Sequence, residues 1–450
     1  MNDENRPLTL RNIFIFWYPL AATWLMMACE NPFLAAIIAR LENPKYNLAA
    51  FGVAFSFALV VEAPIIMLMT ASTALVKNRD AYFKLRRFSF ILNTCITALM
   101  LITLIPPVFF RLTEKLMELP GYVTRPTYTA LLLLLPWPAA IGFRRFYQGL
   151  LIRRNLTRRV AYGTAVRLGS MTATALVLYH LKVQGAFVGA AALSTGVVCE
   201  AIASRLMAHH TIKSIINNPD PVGNDNLRKP LTYGFITKFY YPLALMSILS
   251  LGVHPIVTFF MGKSRFPIES LAVLPVVNSL VFVFRSLGLS FQEVGIALMG
   301  EKNERYVPIR NFAALLGAAV IGGLAVISFT PLAHTWFVHV SGLAPELSRF
   351  AYLPSMILVF LPGLTVWISF QRSILVNLQK TAPISRATAI EVVLITLTLF
   401  ISIKYLDLMG ATAAALSYTI GRIAANLYLL PQQRQGGGQL RHCGSTASTK

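Results

Sequence analysis

Ionisable side chains stranded in apolar stretches are the residues of this chain that could do chemistry. Glu30, Glu62, Arg144, Arg145, Arg167, Glu200, Lys238, Arg285, Glu293, Glu391 and Arg422 all fall inside segments long enough to cross a bilayer. A charge at that depth is costly and normally faces a cavity or a partner. Glu30-Asn31-Pro32 joins a carboxylate to a helix-breaking proline and to an amide that both donates and accepts. That composition suits a proton or cation site. His254, beside Pro255, could titrate near neutral pH. With Glu62 and Glu293 these residues form the expected ion-coupling group. The plain alternative for Glu30 is a helix that bends near its outer end and solvates the carboxylate at the rim.

Arg144, Arg145 and Gln148 have a likeness in Gln371-Arg372 further along the chain. Arg144 and Gln148 are one turn apart and share a helix face. Guanidinium and amide groups converging in this way, joined by Arg285, would grip phosphate or carboxylate groups bidentately. These six are the expected substrate-binding residues. The competing reading is that the arginines only snorkel to lipid headgroups. Glu62 and Arg285 occupy equivalent places in a repeat described below, and could pair as a gate or as a fixed bridge. No GxxxxGK[ST], HExxH or GxSxG pattern is present, and the four cysteines lack metal-ligand spacing. An enzyme, a catalytic residue, a metal site and a cofactor are therefore not expected.

The elements that must position these groups are membrane helices. The chain is 56% hydrophobic and 13% charged, with mean hydropathy +0.61, whereas a soluble domain is about a quarter charged. Apolar segments near 12–39, 46–76, 88–111, 127–152, 159–181, 186–210, 232–262, 267–298, 311–337, 350–377, 386–405 and 409–430 predict an all-α polytopic protein of about twelve spans. The net charge of +22 is not spread evenly. Lys and Arg cluster in alternate connections, as around Lys77 to Arg87 and Arg153 to Arg159, which is the positive-inside pattern. It predicts both termini in the cytoplasm and basic contacts with membrane lipid, not with nucleic acid.

An internal repeat organises the spans. Phe16-Trp17-Tyr18-Pro19-Leu20-Ala21 returns as Phe239-Tyr240-Tyr241-Pro242-Leu243-Ala244, 223 positions later. Pro32 meets Pro255 and Gln148 meets Gln371 at the same offset, and Gly185-Ala186 meets Gly410-Ala411 two positions further on. The expected divisions are a six-helix lobe over 1–210, a cytosolic linker over 211–230, a second six-helix lobe over 231–430 and a disordered tail over 431–450. Six helices per half keep the two lobes in the same orientation, with a pseudo-axis along the membrane normal.

Two six-helix halves, an aromatic-Pro-Leu at the start of each, and a basic connection after each second helix resemble the MATE/MOP superfamily of exporters and flippases. Within it the chain is most similar to the ANK (progressive ankylosis) proteins. The segments carrying the likeness are Glu30, Leu48 to Ala54, Tyr241 to Leu245, Pro255-Ile256-Val257, Glu269 to Leu274, and Glu293. The resemblance implies outward transport by alternating access, and for ANK-like members an anionic small molecule such as pyrophosphate, nucleotide or citrate. H+ or Na+ would be the coupling ion, in a plasma (cell inner) membrane. Sodium-coupled members use an acidic site in the second half, where this chain offers Glu269, Glu293 and Glu391 but no membrane-embedded Asp. Drug or cation efflux, and a flippase for a lipid-linked sugar, are the alternatives on the same fold.

Overall fold

The computed structural model describes residues 8–116, 121–217, 231–300 and 304–444, with the backbone alone for 31, 44, 45, 116 and 433–444. Among the described residues are twelve long helices. In the first half these are α1 (Leu10–Ile38), α2 (Tyr46–Leu75), α3 (Arg79–Thr103), α4 (Gly121–Arg153), α5 (Thr157–His180) and α6 (Gly185–Met207). The second half supplies α7 (Tyr233–Met261), α8 (Pro267–Leu298), α9 (Tyr306–Ser328), α10 (Pro345–Asn377), α11 (Ala382–Lys404) and α12 (Gly410–Gly444). Ten are long and apolar enough to cross a membrane. The other two, α5 and α12, are diluted by polar residues within the helix, Arg167 in α5 and Arg422 and Asn426 in α12.

Several helices are broken where the sequence places a group that cannot complete the backbone ladder. Backbone left unpaired at membrane depth must find another partner. α1 turns at Cys29 and restarts at Glu30, because Pro32 has no N–H to give. α2 runs as an α-helix to Glu62, tightens to a 3-10 turn over Ala63–Ile65 around Pro64, and resumes at Leu68. Both carboxylates thus sit at helix breaks. α7 carries Pro242 and Pro255 yet is assigned as one continuous helix.

The chain forms two compact units, one of residues 26–248 (the N unit) and one of 1–25 with 249–450 (the C unit). The repeat is written into each. Left-handed residues close three equivalent turns: Asn43, Asn155 and Lys182 in one half, Phe266, Gln379 and Asp407 in the other. In the N unit the Tyr240 hydroxyl donates to Pro64 O at 2.6 Å and its ring meets Phe88 at 5.3 Å. In the C unit Trp17 Nε1 donates to Leu287 O at 3.3 Å and to Ser290 Oγ at 2.8 Å, and its ring meets Phe312 at 5.8 Å. Trp17 and Tyr240, Pro64 and Leu287 are 223 positions apart, and Phe88 and Phe312 are 224 apart. The aromatic motif thus supplies a polar hydrogen to carbonyls at or near the break of α2 and that of α8, which stops at Leu289 and restarts at Phe291.

Some boundaries differ from expectation. α3 begins at Arg79, because Asn78 caps it by accepting from Ala81 N at 2.9 Å. The basic Lys84, Arg86 and Arg87 are therefore helical, and the helix closes at Thr103 ahead of Pro106-Pro107. α9 ends at Ser328, short of Pro331. The helix at the end of the chain continues through Pro431 to Gly444, into the stretch expected to be a tail. The expected linker begins as a short helix, His209–Asn217. Its remainder, 218–230, lies outside the described residues.

Candidate functional site

In the N unit, the breaks in α1 and α2 and three neighbouring helices bring six charges together in the interior. Arg144 and Gln148 share one face of α4, as their spacing requires, and both reach Glu200 on α6. Arg144 Nη1 lies 2.5 Å from Glu200 Oε2, and Gln148 Nε2 donates to Oε1 at 3.1 Å. Thr164 Oγ1 on α5 donates to the same oxygen at 3.1 Å. One turn along α5, Arg167 extends Nη2 to Glu30 Oε2 at 2.5 Å, while its Nη1 stands 3.6 Å from Glu200 Oε2. The result is a chain of alternating charge, Glu30 to Arg167 to Glu200 to Arg144. The guanidiniums acting on Glu62 are Arg145, Arg144 and Arg167, and Glu62 Oε2 is buried without a hydrogen bond. Arg145 Nη1 faces Met69 Sδ at 3.7 Å. None of these side chains is more than 8% exposed. Three carboxylates offset three guanidiniums, the condition under which burying them is tolerable.

The C unit has the same scaffold and a different balance. Gly196 on α6 lies against Arg167 and Met171, and Gly421 on α12 lies against Glu391 and Ile395 in the same way. Glu391 therefore takes the place of Arg167, 224 positions on. Its partner is Arg422 on α12, joined from Nε to Glu391 Oε1 at 2.8 Å. Arg372 on α10 donates from Nη2 to Thr388 Oγ1 at 3.1 Å. The charges acting on Arg372 are those of Arg422 and Glu391, and the same two act on Arg285 along with the Tyr418 hydroxyl. Gln371, fully buried, donates to Asn426 O at 3.1 Å, and Asn426 Nδ2 reaches Leu364 O at 3.2 Å.

The expected site residues thus fall into two groups. Glu30, Glu62, Arg144, Arg145 and Gln148 come together in the N unit, so groups read separately as coupling and substrate residues share one network. Arg285 and Arg372 are both acted on by the charges of Glu391 and Arg422 in the C unit. Glu62 and Arg285 each find the charges acting on them inside their own unit. His254 on α7 is exposed on its unit, with Arg285 the charge that acts on it. Glu293 is buried on α8 and engaged by a partner of its own. The side chain of Asn31 lies outside the described residues. Arg167, Glu200, Glu391 and Arg422 were legible as charges at bilayer depth but not as site residues. The signal that could have found them is opposite charge on consecutive helices, at like places in the two halves.

No family model and no curated protein matches the chain. Solved structures do. A multidrug resistance MATE family transporter of the MOP superfamily, in an outward-facing conformation, matches with a TM-score of 0.75 at 15% identity, over 95% of this chain and 96% of that one. A mutant of the Vibrio cholerae MATE transporter VcmN matches at 0.74 and 16%, over 95% and 97%. A MOP superfamily transporter from Pyrococcus furiosus, described as having reversed polarity of its binding pocket, matches at 0.75 and 15%, over 95% and 96%. This chain has the all-helical membrane fold of the MATE-type transporters of the MOP superfamily.

Proposed function

We propose that this protein is a secondary active transporter that exports an anionic small molecule by alternating access, in the manner expected of ANK-like members of the superfamily. The observation that carries the reading is the buried charge of the C unit: Glu391 is the carboxylate that acts on Arg285 and Arg372 and pairs with Arg422, while the unit's other described buried carboxylate, Glu293, has a partner of its own. Uncompensated guanidinium charge inside a membrane protein favours an anion over a cation as cargo. Coupling belongs to the N-unit network. Protonation of Glu30, or an ion bound beside it, would free Arg167 from a 2.5 Å contact and shift the balance between Glu30 and Glu200. Such a shift can be no larger than the difference in affinity between the two transport states. With no phosphate-binding loop in the sequence, the energy comes from an ion gradient or the substrate's own gradient. Both termini lie in the cytoplasm, and the protein resides in the plasma (cell inner) membrane.

The test is uptake of labelled pyrophosphate, ATP and citrate into liposomes holding the purified protein, with and without a proton or sodium gradient. Wild type should accumulate at least one of them, faster with a gradient. Glu30→Gln should lose the gradient's effect and retain anion exchange. Movement of organic cations or a lipid-linked sugar, with no anion moved, would sink the reading.

A further inference from the structure

We propose that Arg285, Arg372 and Arg422 form a binding site for a polyvalent oxyanion, in which the Glu391 carboxylate holds the anion's place and is displaced by it. This rests on the anion-carrier reading, and adds which residues grip the anion and which group competes with it. The argument begins from the two units. In the N unit the carboxylates Glu30, Glu62 and Glu200 neutralise three arginines. The positions equivalent to these carboxylates, 223, 223 and 225 residues on, are Val253, Arg285 and Ala425. The C unit has therefore lost the three carboxylates of its sister, and one of the three has become an arginine. It gains two, Glu391, paired with Arg422, and Glu293 on α8, which has a partner of its own and is not among the charges acting on Arg285 or Arg372. Three guanidiniums less one carboxylate leave two positive charges without internal compensation.

Side-chain contacts leave guanidinium donors of this cluster unused. The Arg422–Glu391 pair is joined by one hydrogen bond, from Nε, whereas an arginine and a carboxylate meeting fork to fork make two. Arg372 is 9% exposed against 1% for Arg144, and the Nε atoms of Arg372 and Arg285 are buried without a hydrogen bond, as are those of the N-unit arginines. Tyr418 lies one turn before Arg422 on α12, placing a hydroxyl on the same face. A dianion brings this cluster to the neutrality that the N unit has built in, whereas a monoanion leaves one charge over. The fork geometry of guanidinium suits phosphate and carboxylate oxygens alike, so diphosphates and polycarboxylates share the chemistry.

Binding of labelled pyrophosphate to the full chain in detergent tests the site without requiring transport, with ATP and citrate as further probes and acetate as the monovalent competitor. Glu391→Gln removes the competing carboxylate and should tighten pyrophosphate binding about tenfold. Arg285→Gln and Arg372→Gln should each weaken it by about tenfold or more, and acetate should not compete. A folded Glu391→Gln protein that binds pyrophosphate no tighter than wild type overturns the proposal. So does a failure of both to bind pyrophosphate, ATP and citrate. If Glu391→Gln does not fold, the charge-neutral double variant Glu391→Gln/Arg422→Gln takes its place; it should lose pyrophosphate binding, and wild-type affinity there overturns the site. The two readings separate cleanly. The expected binding pattern without transport keeps the site and removes the carrier; anion transport with a KM indifferent to Glu391→Gln does the reverse.

Discussion

Glu200 accepts hydrogen bonds from Arg144, Gln148 and Thr164 and stands 3.6 Å from Arg167, all with no exposure of its own. Its carboxylate is what makes two buried guanidiniums affordable. Glu200→Gln keeps the shape and removes the charge, leaving Arg144 without a counter-ion and Arg167 with Glu30 alone. Breaking one side of a buried pair costs about 3–5 kcal/mol, to be read as a fall in the melting temperature of the purified protein in detergent. Removing both partners, as in Arg144→Gln/Glu200→Gln, should recover part of the loss, because no lone charge remains. Glu62 is the control, since its Oε2 has no hydrogen bond to lose. Glu62→Gln unbalances the cluster's charge but breaks no hydrogen bond at Oε2, and should cost less than Glu200→Gln. Equal losses for Glu62→Gln and Glu200→Gln would mean that the contacts between these charges do not set their worth.

At the scale of the helix, close approach is arranged differently in the two units. Ser72 on α2 lies against Gly149 on α4, and Gly295 on α8 lies against Ser373 on α10. The serine and glycine have changed sides while the contact stayed. In each case the serine hydroxyl donates to a carbonyl at an equivalent level, Phe146 O at 2.8 Å and Phe370 O at 2.7 Å. Gly295→Ser alone puts two side chains where one fits and should cost about 1–3 kcal/mol. Adding Ser373→Gly rebuilds the arrangement of the other unit and should restore most of the melting temperature; no restoration would show that the two contacts are not interchangeable. Little of this could be read from sequence. Apolar length and proline placed the helices, because lipid leaves the backbone few choices. Hence the breaks beside Glu30 and Glu62 could be anticipated, and the offset of 223 found the aromatic motif. Helical spacing correctly put Arg144 and Gln148 on one face. It could not name Glu200 as their partner, 56 residues from Arg144, because periodicity gives the face of a helix and not what packs on it. Glu62 and Arg285 hold like places in their units, and each is acted on by charges of its own unit.

At the scale of the whole chain, the basic residues that do not enter either cluster have a different task. Lys77, Arg79, Arg153, Arg154, Arg158 and Arg159 crowd the α2–α3 and α4–α5 ends, whereas the α1–α2 and α5–α6 ends carry Arg40, Lys45 and Lys182. Each Lys or Arg near an anionic leaflet contributes about 1 kcal/mol, so the asymmetry predicts that the former ends face the cytoplasm. The measurement uses single cysteines at Arg154 and Glu42, both exposed, in a chain whose four cysteines have been replaced by serine. A membrane-impermeant maleimide should label Glu42→Cys on intact cells, and Arg154→Cys only after the membrane is opened. One basic residue fewer among six leaves the bias standing, so the substitution does not undermine its own test. The opposite labelling would place the termini outside and reverse the sense of transport. The charge clusters at Glu200 and Glu391 would be unaffected, since they are fixed by packing within each unit and not by the membrane's polarity.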